Sequence, residues 1–292
     1  MKLRHFISTR RRTTTVRSIE HQMTEIYVFI DDFLKAHPRR AHWRRSPHSS
    51  PAFTDAEVLT IALLQGSFGC ATLKRAYLLV QANFRRAFPR LCSYKQWLHR
   101  LHLLSSLVGQ LVEAARRCDF QATTLYLMDA KPIPVCKPIR HGRVRLLRED
   151  GAYFGKSTTG WYFGFKLHVI TTHAGEVLCG ALTPANTNER DVAGALSQAV
   201  DGGIVLCDGG YRSAPLAALL AEEAEMLLVT PQEAGGRRPL VSSLRERVET
   251  TFSQLWNRFI DRVFSRSWHG LWNSIKLKML HYNLCRAGVL SA

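Results

Sequence analysis

From residue 123 onward the sequence alternates short apolar β-type runs with amphipathic helical stretches, and this alternation limits the possible folds more than any other feature. Thr123–Met128 is apolar without polar alternation, the pattern of a strand covered on both faces. A polar, basic stretch runs from Lys137 to Thr159. Trp161–Thr171 and Glu176–Leu182 flank His173-Ala174-Gly175 and predict a β-hairpin. A helix is expected from Asn188 to just before Gly202, a buried strand over Ile204–Cys207, and a helix over Ser213–Glu223 capped by Ser213. Met226–Thr230 follows as a strand, Ser242–Val263 as a long helix, and a last helix lies near Leu271–Cys285. This order of elements gives a mixed sheet with helices on its faces, an α/β domain over residues 121–292.

The preceding part reads differently. Residues 18–120 are expected to be helical, beginning with Ile26, Phe29, Ile30, Phe33 and Leu34 at helical spacing. His37 to Pro51 is basic, contains Pro and Ser, and reads as a loop. Thr54-Asp55-Ala56-Glu57 is a capping box before the apolar run Val58–Leu64. Further helices are expected over Thr72–Phe84 and Tyr94–Cys118, separated by Phe88-Pro89. Residues 1–17 form a basic arm without the apolar centre of a secretory signal.

Forty Lys and Arg against 23 Asp and Glu leave a formal net charge of +17. Such an excess favours a polyanionic partner, and nucleic acid is the usual one. The helical segment 18–120 is therefore expected to bind DNA, with a helical platform packed on the second half as the plainer reading. The seven cysteines are scattered, with no metal-site spacing, which fits reduced thiols in a cytoplasmic protein. Val58–Leu64, the longest apolar stretch, is far too short to span a bilayer.

Two aspartates stand where strands are expected to end. Asp129 follows Leu125-Tyr126-Leu127-Met128; Asp208 follows Ile204-Val205-Leu206-Cys207 and precedes Gly209-Gly210-Tyr211. A carboxylate at the end of a buried strand is costly unless paired or bound to a cation, and that end is where open α/β sheets bind ligands. Singly, each aspartate reads equally well as the cap of the turn that follows. Two in one sheet of a very basic chain favour a shared site. On the last long helix, Leu244, Val248, Phe252, Leu255 and Phe259 form an apolar face. At about 100° per residue, Glu249 lies about 90° from the centre of that face and Glu246 about 150°. Glu249 is thus the candidate third carboxylate, with a salt bridge to Arg245 as the plainer reading. Three carboxylates suit hard divalent ions such as Mg²⁺, and a pair of such ions serves in-line displacement at phosphorus.

Taken together, Met128-Asp129-Ala130-Lys131-Pro132, Gly164-Phe165-Lys166-Leu167-His168, Leu182-Thr183-Pro184-Ala185-Asn186, Cys207-Asp208-Gly209-Gly210-Tyr211 and Arg245-Glu246-Arg247-Val248-Glu249-Thr250-Thr251-Phe252 resemble the DDE transposases of bacterial insertion sequences. The resemblance spans roughly residues 123–285 and implies a ribonuclease-H-like catalytic fold. It implies that Asp129, Asp208 and Glu249 are catalytic and hold two Mg²⁺ ions, with Mn²⁺ as a substitute. It also implies the reaction: water opens an element end and exposes a 3′-hydroxyl, which then attacks a target phosphodiester. The expected partners are double-stranded DNA, as element ends and target, and further copies of the chain, since two ends must be paired. The expected location is the bacterial cytoplasm, at the nucleoid. Expected phosphate contacts are Arg140, Arg143, Arg145 and Arg148 in the basic stretch, and Arg245, Arg247 and Arg258 at the last long helix. The chain departs from the family at two positions of that helix, with Ser242 in place of Tyr and Trp256 in place of Lys. Arg258 and Lys276 are the candidates to replace that lysine.

His168 reads as a satisfied core histidine or as a ligand near the cations. Trp161, Trp256, Trp268 and Trp272 read as core residues or as stacking partners for a displaced base. Two other readings share the acidic constellation: a ribonuclease-H-like nuclease that cuts without joining, and an inactive DNA-binding derivative of a transposase.

Overall fold

Val58–Leu64, too short to cross a membrane, forms the centre of the helical half. It lies in α2 (Asp55–Ser67), where every residue from Val58 to Gln65 is buried. The Thr54 capping box starts this helix, its hydroxyl accepting from Glu57 N while the Glu57 carboxylate accepts from Thr54 N. The computed structural model describes residues 18–38, 51–115, 124–233, 235, 238–258 and 260–290. The expected arm over 1–17 and most of the basic loop from His37 to Pro51 lie outside them.

Around α2 pack α1 (Ile19–Ala36), α3 (Leu73–Asn83) and α4 (Tyr94–Leu103), while α5 (Ser105–Ala114) packs on α1 and α4. Arg100 of α4 pairs with buried Asp55 at 2.6 Å, and Trp97 Nε1 donates to Val58 O at 3.1 Å. The sequence predicts one helix from Tyr94 to Cys118, but the helix breaks at Leu104, with φ −86° and ψ 5°. Trp97, Leu101, Leu104, Val108 and Leu111 keep helical spacing through the break and are all buried, so periodicity alone did not reveal it.

The second half holds β1 (Leu125–Cys136), β2 (Tyr153–Ser157), β3 (Gly160–Thr172), β4 (Val177–Pro184), α6 (Glu189–Ser197), β5 (Gly203–Leu206), α7 (Ala214–Ala224), β6 (Met226–Val229), α8 (Arg238–Trp256) and α9 (Trp268–Arg286). The six strands form one mixed sheet. β2 and β4 pair with successive parts of β3, and then come β1, β5 and β6. β3 is antiparallel to β1, β2 and β4, while β5 and β6 run parallel to β1.

Three sequence expectations need correction. β1 does not end at Met128 but continues through Pro132 and Pro134 to Cys136. Beyond Leu127 its β5 side has no ladder partner, and a proline can sit at such an open edge because no donor is required there. The basic stretch contains β2, which turns back into β3 through Thr158-Thr159. The long helix starts at Arg238 and ends at Trp256 rather than running from Ser242 to Val263.

Side chains alternate across the sheet. Tyr126, Met128, Val205 and Cys207 pack beneath α6 and α7. Leu127, Phe165, Leu167, Val169 and Leu206 face α8 and α9. That core continues into α1–α5, because α9 packs on α2, α4 and α5. None of the six described cysteines forms a disulfide, and no described helix is long and apolar enough to cross a membrane.

Candidate active site

β1 and β5 run parallel, and their last registered pair is Leu127 with Leu206. Two residues further on each strand stand Asp129 and Asp208. Alternation puts both on the face of Leu127 and Leu206, the face covered by α8. Cys207 N still donates to Val229 O at 3.1 Å, so the extended course of β5 persists to the residue before Asp208. A tight turn over Gly209–Tyr211 follows, and Asp208 Oδ1 accepts from Gly210 N at 2.9 Å. Asp129 Oδ1 accepts from Ala130 N at 2.8 Å, and its side chain is 13% exposed. Each carboxylate is thus oriented by a neighbouring backbone amide.

Two cations and a tyrosine border the pair. Lys131 follows Asp129 on the same face, with Nζ 4.0 Å from Asp129 Oδ2 and 5.8 Å from the Phe252 ring centroid of α8. Arg190 of α6 donates Nε to Gly210 O at 2.9 Å and fastens that helix to the turn after Asp208. Beside it, Lys166 Nζ lies 3.1 Å from Glu189 and donates to Thr187 O at 3.2 Å. Tyr211 is fully buried, and burial, then the charges of Glu189, Cys207, Asp129 and Asp208, push its hydroxyl above the ordinary range. It remains a neutral phenol, and its Oη makes no hydrogen bond.

Glu249 arrives by a different route. In α8, Val248, Phe252 and Leu255 are buried against the sheet, while Glu249 and Glu246 are both exposed. Thr251 Oγ1 donates to Gly175 O at 3.3 Å and Arg247 Nη1 to His173 O at 3.0 Å, holding α8 on the β3–β4 turn. Among the described residues, no three His, Cys, Asp or Glu side chains converge closely enough to hold one metal ion. The structure therefore brings Asp129 and Asp208 together and sets Glu249 on the adjoining helix, outside their immediate shell.

Residues 119–259 match a family model described as the transposase DDE domain. This part of the chain is a transposase DDE domain. Comparisons with curated proteins and with solved structures returned no match.

The remaining candidates separate. Arg140, Arg143, Arg145 and Arg148 are exposed on the loop between β1 and β2. The Arg148 guanidinium also donates to His141 O and lies 5.9 Å from the Phe163 ring centroid. Arg247 is exposed despite its bond to His173, and Arg245 lies on α8, its side chain outside the described atoms. Arg258 is half-buried, donating to Gln254 O at 2.8 Å and His281 Nδ1 at 3.4 Å, with its guanidinium 5.4 Å from the Tyr282 ring centroid. Lys276 donates to Ser105 Oγ at 2.9 Å, and burial lowers its pKa to about 8. Both alternatives for the family lysine are thus engaged in packing α9. His168 is fully buried, with Nε2 2.9 Å from Thr183 Oγ1. Burial and then the Lys166 charge lower its pKa to about 4, so it is a neutral core histidine. Trp256, Trp268 and Trp272 are half-buried against the core, whereas Trp161 is 63% exposed.

Sequence reasoning assigned no role to Glu189, Arg190 or Lys166. Asn188, which caps α6, marked where this group begins, but only tertiary approach joins Arg190 to Gly210 and Lys166 to Glu189.

Proposed function

We propose that the chain is a transposase that cleaves insertion-sequence ends and joins the freed 3′-hydroxyl to target DNA. The observation that carries this reading is the pair Asp129 and Asp208, in register two residues past the last β1–β5 pair, inside a DDE domain. The strand arrangement, with β4, β3, β1, β5 and β6 side by side, supports a ribonuclease-H-like fold. The net charge of +17 supports DNA as the partner.

Asp129, Asp208 and Glu249 would hold two Mg²⁺ ions, with Mn²⁺ as a substitute. Carboxylate oxygens are the right donors for such ions, and the two aspartates fit the role because backbone amides already orient them. When bound, the ions activate the attacking oxygen and stabilise the leaving one. Glu249 completes the set only through an inward movement of its side chain or of α8. Lys131, beside Asp129 and 38% exposed, is positioned to neutralise a phosphate, and the exposed Arg140, Arg143 and Arg145 extend that role along the DNA. Tyr211 and His168 stay neutral and supply no charge to the site. Pairing two element ends requires at least two copies of the chain.

The test is cleavage and strand transfer on element-end DNA with Mg²⁺, comparing wild type with Asp129→Ala, Asp208→Ala and Glu249→Ala. Loss of both reactions with DNA binding intact supports the proposal. Cleavage without strand transfer in the wild type would replace it with a nuclease. Binding without either reaction, under any divalent metal, would reduce the chain to a DNA-binding protein.

A further inference from the structure

Trp161 opens β3 directly opposite Lys156 of β2, one pair away from the Thr158-Thr159 turn. Both side chains are exposed, the indole by 63%. Strand alternation puts Trp161 on the face of Phe163, Phe165, Leu167 and Val169. Val169 pairs with Asp129 and Leu167 with Lys131. Trp161 therefore shares a sheet face with the aspartates, roughly 26 Å from Asp129 along β3 at the ordinary rise of a strand.

The loop between β1 and β2 leaves β1 after Cys136, opposite Phe163 and two residues from Trp161. The His141 ring lies 4.6 Å from that of Phe154 and 6.0 Å from that of Phe163, anchoring the loop to this face. Arg140, Arg143 and Arg145 are exposed on it. The face thus carries an acidic pair, then Lys131, then exposed arginines, and ends in an exposed indole beside an exposed lysine. Cations that follow a backbone, together with an aromatic plane, are the combination that holds unpaired nucleic acid, because every base offers a stacking face.

We propose that the β2–β3 hairpin tip is a stacking platform for an unpaired base of the DNA strand that leaves the aspartates along the arginine loop. The Trp161 indole takes the base and Lys156 the adjoining phosphate. This inference rests on the DNA-cutting reading above.

The experiment uses the full chain, a fully paired element-end duplex and the same duplex with three unpaired terminal nucleotides, one of them 2-aminopurine. Stacking predicts that wild type binds the frayed duplex about five-fold or more tightly than the paired one and quenches the 2-aminopurine. Trp161→Ala should lose both effects, Trp161→Phe should keep most of each, and Lys156→Ala should weaken binding without abolishing the quench. Because the indole is exposed, the melting temperature of Trp161→Ala should match wild type. Retention of the preference and the quench in Trp161→Ala overturns the platform. Equal binding of the two duplexes by wild type overturns it too and leaves the functional reading standing, whereas failure to bind either duplex overturns both.

Discussion

The two aspartates and the glutamate proposed to act with them are placed by different physical routes. Asp129 is held by the β1–β3 ladder opposite Val169, and Asp208 follows a strand whose last amide still bonds to β6. Their spacing is therefore a property of the sheet. Glu249 depends on how α8 docks, through Val248, Phe252, Leu255 and the bonds of Thr251 and Arg247 to the β3–β4 turn. Each residue of helix turns a side chain by about 100°, and a glutamate adds three rotatable bonds. Two acids are thus preorganised by register, and the third is delivered by packing and ends exposed. Under the proposed function, the difference would leave the site half built in the free protein and completed when substrate and cations bind.

The largest expected effect tests the preorganised half. Asp129→Asn and Asp208→Asn should each reduce cleavage by roughly 10³-fold, the order lost when an electrostatic stabiliser is removed from an active site. DNA affinity at fixed salt should stay within about two-fold, and both substitutions should raise the Mn²⁺ concentration at which binding is half-saturated in the absence of DNA. Glu249→Gln should match them in cleavage but should barely change that DNA-free Mn²⁺ binding. An equal loss of DNA-free Mn²⁺ binding in all three variants would show that the glutamate is already in place, and the contrast between sheet and helix would fall.

A smaller effect separates orientation from ligation. Arg190 touches Gly210 O rather than a carboxylate, so Arg190→Ala acts through the turn that aims Asp208. A supporting contact of this kind is worth about 10- to 100-fold in activity or metal affinity. Arg190→Ala should weaken Mn²⁺ binding and cleavage together, while its melting temperature stays near wild type. A change in melting temperature alone would reduce Arg190 to a structural tether.

How much of this was legible in the sequence follows the same division. The aspartates were visible because an apolar β-run followed by an acid is a local signal, and Asp208 adds Gly209-Gly210. The continuation of β1 past Asp129 was hidden, since Pro132 and Pro134 argue against a strand unless its edge is known to be open. β2 was masked by basic residues, and the break at Leu104 by unbroken helical spacing. For α8, periodicity separated the seam of Val248, Phe252 and Leu255 from the acids, but exposure alone does not rank Glu246 and Glu249. Lys166–Glu189 and Arg190–Gly210 are contacts between distant segments, and no local pattern encodes them.

Two stability predictions bear on the sheet that holds the aspartates. A Cβ on Gly164 would stand 2.3 Å from Ile133 O and 2.8 Å from Val135 N, backbone atoms of the strand that carries Asp129. Gly164→Ala should cost about 1–3 kcal/mol, as forced overpacking does, and lower the melting temperature measured by circular dichroism. His168 should give a weaker, pH-dependent effect. Its folded pKa of about 4 lies below the ordinary 6.5, so the unfolded chain binds the extra proton first. Its contribution is fully present above pH 6.5 and is lost as pH falls towards 4. The melting temperature should drop over that window, and His168→Gln should flatten the drop. An unchanged slope would mean that other groups govern acid unfolding.

The smallest expected effect is the sharpest test of the helix-borne acid. Glu246 and Glu249 lie three residues apart on α8 and are both exposed. Three residues of helix is about 300°, so the two acids point about 60° apart, and Glu249 follows directly on buried Val248 while Glu246 stands further from the seam. Glu246→Ala should leave cleavage, strand transfer and melting temperature within about two-fold and one degree of wild type, as surface substitutions away from special features do. If Glu246→Ala instead abolishes cleavage and Glu249→Ala does not, α8 docks in the working complex rotated from the position it holds here. Val248, Phe252 and Leu255 would then have to leave their places against the sheet, so the same experiment also tests whether the packing that carries the third acid survives in the active state.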